Sequence, residues 1–160
     1  MYQFLMLLII LGTSSCKNTM SNDKMENTNV SNNKEKTIPY TLANNYFVKN
    51  NFKIDSFLSL KITNKSDFDA IFGMATTMGE SGKPTPIDFS KQYVIALIGK
   101  ETDYSTSFFV NSLKEINNQI EVSYKETVST QQQTYAIIPF TILLVNNTYN
   151  KQLVFKKVKH

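Results

Sequence analysis

The sequence predicts a β-rich α+β domain: a mostly antiparallel sheet, left open or curled into a small sandwich or barrel, with one short helix packed against it. Three observations carry this. Residues 93–98, YVIALI, are continuously apolar, the pattern of a central strand buried on both faces. From residue 104 onward apolar and polar residues alternate with a period of two, as in half-buried strands. A helical period occurs once, near residue 68, and one helix cannot cover both faces of a doubly wound sheet.

The elements follow in chain order. The folded part begins near Ile38 or Pro39, and YFV at 46–48 is a short strand. SFLSLKI at 56–62 alternates, with Phe57 off one face and Leu58, Leu60 and Ile62 on the other. An asparagine or serine cap after residue 63 then leads into Asp67, Phe68, Ile71, Phe72 and Ala75 at helical spacing. This predicts a helix of two to three turns ending near Gly73, with Asp67 and Asp69 beside the positive end of its dipole. GESGKPTPIDF, residues 79–89, has two glycines and two prolines and is a loop. It lacks the GxxxxGK[ST] spacing of a phosphate cradle.

After the central strand, which ends at Gly99, Thr106, Phe108 and Val110 alternate with Ser105, Ser107 and Phe109. INNQI at 116–120 is a polar turn into a strand with Ile120, Val122 and Tyr124 on one face. VSTQQQT at 128–134 is a polar connection, and 135–145 is the next strand, where Pro139 marks an edge, a bulge or a break. NNTYNK at 146–151 turns into a short last strand at 153–155, and the lysines that follow discourage pairing at an edge.

Composition removes several function classes. The chain has 160 residues and a formal charge of +4, and its basic side is carried by 17 lysines without arginine. Arginine forks dominate base and phosphate recognition, so no nucleic-acid partner is expected. One cysteine and one histidine, His160 at the carboxyl end, build neither a disulfide nor a zinc site, and no metal or cofactor is expected. There is no GxSxG, no internal histidine, and Ser90-Lys91 is read as an exposed strand entry instead of a catalytic pair. Carboxylate chemistry would need Asp88, Glu101, Asp103 or Glu126 to converge. No catalysis is expected.

The amino-terminal stretch carries a separate signal. Residues 4–11 are apolar but too few for a spanning helix, which needs roughly 20 residues, and they match the apolar region of a signal peptide. Residues 17–36 are almost entirely polar and rich in asparagine and lysine, with little apolar surface to offset the entropy of ordering. Thr13-Ser14-Ser15-Cys16 at the junction resembles the lipobox of bacterial lipoproteins. That resemblance implies a signal peptide over 1–15, lipid attachment at Cys16, a flexible tether over 16–37 and a single domain over 38–160. It also implies a membrane-anchored place in the bacterial cell envelope, facing the periplasm or the outside.

Residues 88–145 carry a second resemblance. Asp88 and Phe89 before the central strand, Gly99 at its end, the pair Tyr104-Ser105, the strand 122–127 and Ile138-Pro139-Phe140 together resemble the carboxyl-terminal domain of the PrcB family. The family is named for a subunit of a protease complex and occurs in small secreted and lipid-anchored bacterial proteins. It implies a protease or another envelope protein as partner, with the Tyr104-Ser105 turn as a contact. Tyr104, Phe109 and Tyr135 are the aromatic residues expected on the less buried side, where they suit protein binding. The leading expectation is therefore a lipid-anchored binding or accessory protein. The alternatives are a protease-associated regulator or inhibitor, for which loops 99–105, 128–134 and 146–151 should gather at one end, and an envelope hydrolase with a carboxylate cleft.

Overall fold

The computed structural model describes residues 35–79 and 82–159. Cys16, the leader 1–15 and tether residues 16–34 lie outside the described residues. Among the described residues ten strands and one α-helix follow in order, with a 3-10 turn at Asn147–Tyr149 before the last strand: β1 (Lys36–Thr37), β2 (Thr41–Leu42), β3 (Tyr46–Val48), β4 (Leu58–Ile62), α1 (Lys65–Ile71), β5 (Phe72–Met74), β6 (Gln92–Ile98), β7 (Thr102–Ile116), β8 (Gln119–Ile137), β9 (Phe140–Asn146) and β10 (Gln152–Lys157). An inner sheet has the order β2-β9-β6-β4, an outer sheet the order β1-β7-β8-β10, and β3 pairs with β5 as a separate ribbon. Neither four-stranded sheet closes into a barrel. All pairings are antiparallel except β10 on β8.

The inner sheet is covered on both faces. Tyr93 and Ile95 of β6, with Leu143 and Val145 of β9, pack against Leu113, Ile120 and Val122 of the outer sheet. Val94, Ala96 and Ile98, with Ile142 and Leu144, pack instead against Phe68 and Ile71 of α1 and Phe72 of β5. All six residues of YVIALI are fully buried, so the uninterrupted apolar run follows from having a layer on either side. Each large aliphatic side chain placed there contributes roughly 1.5–3 kcal/mol of burial. The outer sheet has one buried face only, and its strands alternate accordingly.

Three expectations are corrected. The helix ends at Ile71, because Phe72 turns extended and Phe72–Met74 form a ladder with β3. Gly73 makes that pairing close: a Cβ there would lie 2.4 Å from the Phe47 ring. Ala75 therefore lies beyond the helix rather than on its apolar face. The folded body also starts earlier than Ile38, since Lys36 and Thr37 pair with Glu115 and Lys114 of β7. Finally, residues 128–134 are not a connection but part of β8, which runs on to Ile137 and includes Tyr135. The break falls at 138–139, where Pro139 cannot donate to a ladder. The expected turn after β7 is a two-residue one, with Asn117 and Asn118 at φ 51° and 63°, the left-handed pair that matches hairpin twist.

Candidate functional site: an arm and the groove beneath it

The outer sheet is unequal in length. β10 accompanies β8 only from Gln119 to Tyr124, extended by a hydrogen bond from Val158 N to the Tyr124 carbonyl (2.8 Å). β1 accompanies β7 only at Glu115 and Lys114, extended by Ile38 N to the Leu113 carbonyl (2.8 Å). Beyond these points β7 and β8 continue as a two-stranded arm, in which Thr106, Tyr104 and Thr102 face Val128, Gln132 and Ile137. β8 spends more residues than β7 over this stretch, so the arm is bulged, and bulges re-aim side chains.

All four residues expected to bind a partner, Tyr104, Ser105, Phe109 and Tyr135, lie on this arm. Tyr104 is 37% exposed, Phe109 57% and Tyr135 59%, so the three aromatic side chains are accessible. They do not form one patch. Tyr104 shares the parity of Thr106 and buried Phe108, while Ser105 and Phe109 share the opposite one. The Tyr135 hydroxyl accepts a hydrogen bond from Gln133 Nε2 (3.1 Å). Val128, 52% exposed, escaped the sequence reading because a polar run follows it. It continues the parity of Ile120, Val122 and Tyr124, the signal by which it was detectable.

The outer edge of β7 is closed by hydroxyl groups instead of charges. The Val110 carbonyl accepts from the Tyr40 hydroxyl (3.3 Å), and the Phe108 carbonyl accepts from Thr141 Oγ1 (2.8 Å). At Tyr104 the carbonyl accepts from Thr106 Oγ1 (3.0 Å), and the N–H donates to Thr102 Oγ1 (3.1 Å). An incoming strand would have to displace these bonds, so the edge is a poor template for strand addition.

Beside the arm, three adjacent cavities share lining residues across the end of the inner sheet. The first, about 490 Å³, has Phe52, Ile54 and Ile138 with Lys53, Asp55, Lys100 and Glu101. The second, about 340 Å³, shares Lys100 and Glu101 and adds Phe57, Phe108, Glu126, Val128 and Pro139. The third, about 660 Å³, shares Glu126 and Val128 and is completed by Lys157, Val158 and Lys159. Phe57 stacks on Tyr124 (centroids 5.4 Å apart, planes at 13°) and also meets Phe108 at 5.4 Å, giving the middle of the groove an aromatic wall. Gly99 lets the chain leave β6 there, since a Cβ would lie 2.7 Å from Pro139 Cγ and 3.1 Å from the Phe108 ring. Burial pushes the Tyr124 phenol up from its ordinary value. The hydrogen bond to Glu126 holds the Lys157 ammonium above its ordinary value.

Of the four carboxylates named from sequence, two come to one cavity and two lie apart. Glu101 and Glu126 both line the middle cavity, but Glu126 is ion-paired with Lys157. Asp103 accepts from Gln132 Nε2 on the arm. Asp88 lies before β6, where Ser90 and Lys91 bind it and hold its carboxyl below the ordinary carboxylate value. Ser90 and Lys91 are thus engaged in a turn. Among the described residues no three of His, Cys, Asp and Glu are grouped so as to hold a metal ion. Loop 99–105 and residues 128–134 share the arm end, whereas 146–151 lies at the other end, where Asn147 N donates to the Lys91 carbonyl (2.8 Å) and Gln152 pairs with Gln119. The three segments therefore do not gather.

Comparison with protein-family models, curated proteins and solved structures finds no match to this chain. The geometry is that of adjacent side-chain-lined cavities beside an exposed two-stranded arm. A second, separate cleft of about 330 Å³ lies between α1 and the segment 84–89, with Tyr46, Met74, Pro84 and Phe89 in its wall.

Proposed function

We propose that this chain is a lipid-anchored cell-envelope binding or accessory protein that works by protein contact, without chemistry, and that its arm is the contact surface. The observation that carries the reading is the exposure of Tyr104, Phe109, Val128 and Tyr135 on one two-stranded extension. They stand on both faces of one projecting element, where exposed aromatic and aliphatic side chains suit protein contact. The anchoring half rests on the lipobox-like sequence ending at Cys16.

Both halves have direct tests. Mass spectrometry of the mature amino terminus should find an acylated Cys16; a retained Met1 or an unmodified cysteine contradicts anchoring. Affinity purification from detergent-solubilised membranes should recover one stoichiometric protein with the native chain. The triple variant Tyr104→Ser, Phe109→Ser, Tyr135→Ser should lose it. Recovery of no stoichiometric protein by the native chain contradicts the contact reading.

A further inference from the structure

The proposed protein contact leaves open what enters the groove. We infer that it receives an extended polypeptide segment, gripped by side chains instead of being added to the sheet as a strand. The segment is apolar where it passes Phe57 and Val128, and it carries charges of both signs where it passes Lys100 and Glu101. This inference rests on the protein-contact reading and specifies its chemistry.

Two observations support the occupant. The first is continuity: adjacent cavities share Lys100 and Glu101 on one side and Glu126 and Val128 on the other. A run of linked cavities suits a chain, whereas a small molecule is enclosed by one. The second is charge. Lys157 spends its charge on Glu126, but Lys53, Asp55, Lys100 and Glu101 make no ion pair among the described residues. The groove thus offers unpaired charges of both signs beside the apolar Phe57 and Val128 of the middle cavity, and a segment carrying both charged and apolar residues complements it.

The groove also has a defined place along the outer sheet. The chain enters the fold through β1, and Lys36 pairs with Glu115. From there to Thr106, above the groove, β7 runs nine residues away, roughly 30 Å at about 3.3 Å per residue. The described chain therefore enters at the end of the outer sheet opposite the groove. At the β7 edge the hydroxyl caps favour grip by side chains over strand addition, because side-chain contacts leave those bonds intact.

The test is selection of a random dodecapeptide library on the full chain in detergent, followed by fluorescence anisotropy with a labelled synthetic copy of the enriched sequence. Val128→Lys and Lys100→Glu should each weaken that peptide by about tenfold or more. Met74→Lys, in the separate cleft beside α1, should leave its affinity within about twofold. Thermal melts of all three variants establish that they are folded; Lys100→Glu, at an exposed position, keeps the test valid should Val128→Lys unfold. Failure to enrich any peptide overturns the inference. So does a peptide indifferent to Val128→Lys and Lys100→Glu but lost with Met74→Lys, an outcome that keeps protein contact and moves it to the other cleft. Recovery of a stoichiometric partner, described above, judges the broader reading separately.

Discussion

Tyr93 shows how one polar atom is accommodated where the two sheets meet. Its ring is fully buried, its hydroxyl donates to the Tyr149 carbonyl (3.2 Å), and Lys61 Nζ lies 4.7 Å from the ring centroid. Lys61 in turn donates to the Lys151 carbonyl (2.7 Å), so the two side chains hold the crossover from β9 to β10. Burial raises the Tyr93 phenol from 10.0 to about 12. A raised value means that stability from the neutral phenol is complete below pH 10 and is lost as pH climbs to 12. At ~1.4 kcal/mol per pKa unit, that loss is on the order of 2–3 kcal/mol. Burial lowers Lys61 from 10.5, which acts in the opposite direction as pH rises towards 10.5. Tyr93→Phe should therefore cost about 1 kcal/mol at neutral pH, the worth of one hydrogen bond, and make the alkaline decline shallower. Urea midpoints measured from pH 9 to 12 check this, and parallel declines in the two proteins would contradict it.

At the scale of elements, α1 is seven residues long, too short to persist without help. Asn64 supplies part of that help: its side-chain oxygen accepts from Asp67 N (2.9 Å), and its amide donates to Asp67 Oδ2 (2.7 Å). Phe68 supplies the rest, meeting Tyr46 edge-on at 5.2 Å and Phe72 at 4.9 Å. Asn64→Ala should cost about 1 kcal/mol in urea unfolding, and Asn64→Ser should recover most of it. Equal stability of all three proteins would show that the cap is idle. The start of this helix was legible in the sequence because capping is local. Its end was not, because Phe72 is drawn into a ladder with Val48, a partner far away in the chain.

For the whole molecule, what was legible is what a period can express. YVIALI announced a strand covered on both faces, and the alternation from residue 120 to 124 announced the half-buried outer sheet. β8 beyond residue 128 was hidden because its serines, threonines and glutamines resemble a connection, and only pairing with β7 makes them strand. The parallel seat of β10 also follows from a crossover that no local pattern encodes. The aromatic residues of the arm were found individually, since exposed parity can be read along one strand. The groove was not, because it assembles segments near residues 53, 57, 100, 126 and 157 that are distant in sequence.

The central claim, that the arm and its groove are where this protein meets another, is tested most directly by photo-crosslinking in living cells. A benzophenone side chain would replace Val128 at the groove, Tyr135 on the arm, or Val154 on the outer face of β10. The account predicts an adduct with one and the same polypeptide from positions 128 and 135 and none from 154. Absence of adducts at the arm positions, or equal adducts at all three, would contradict it.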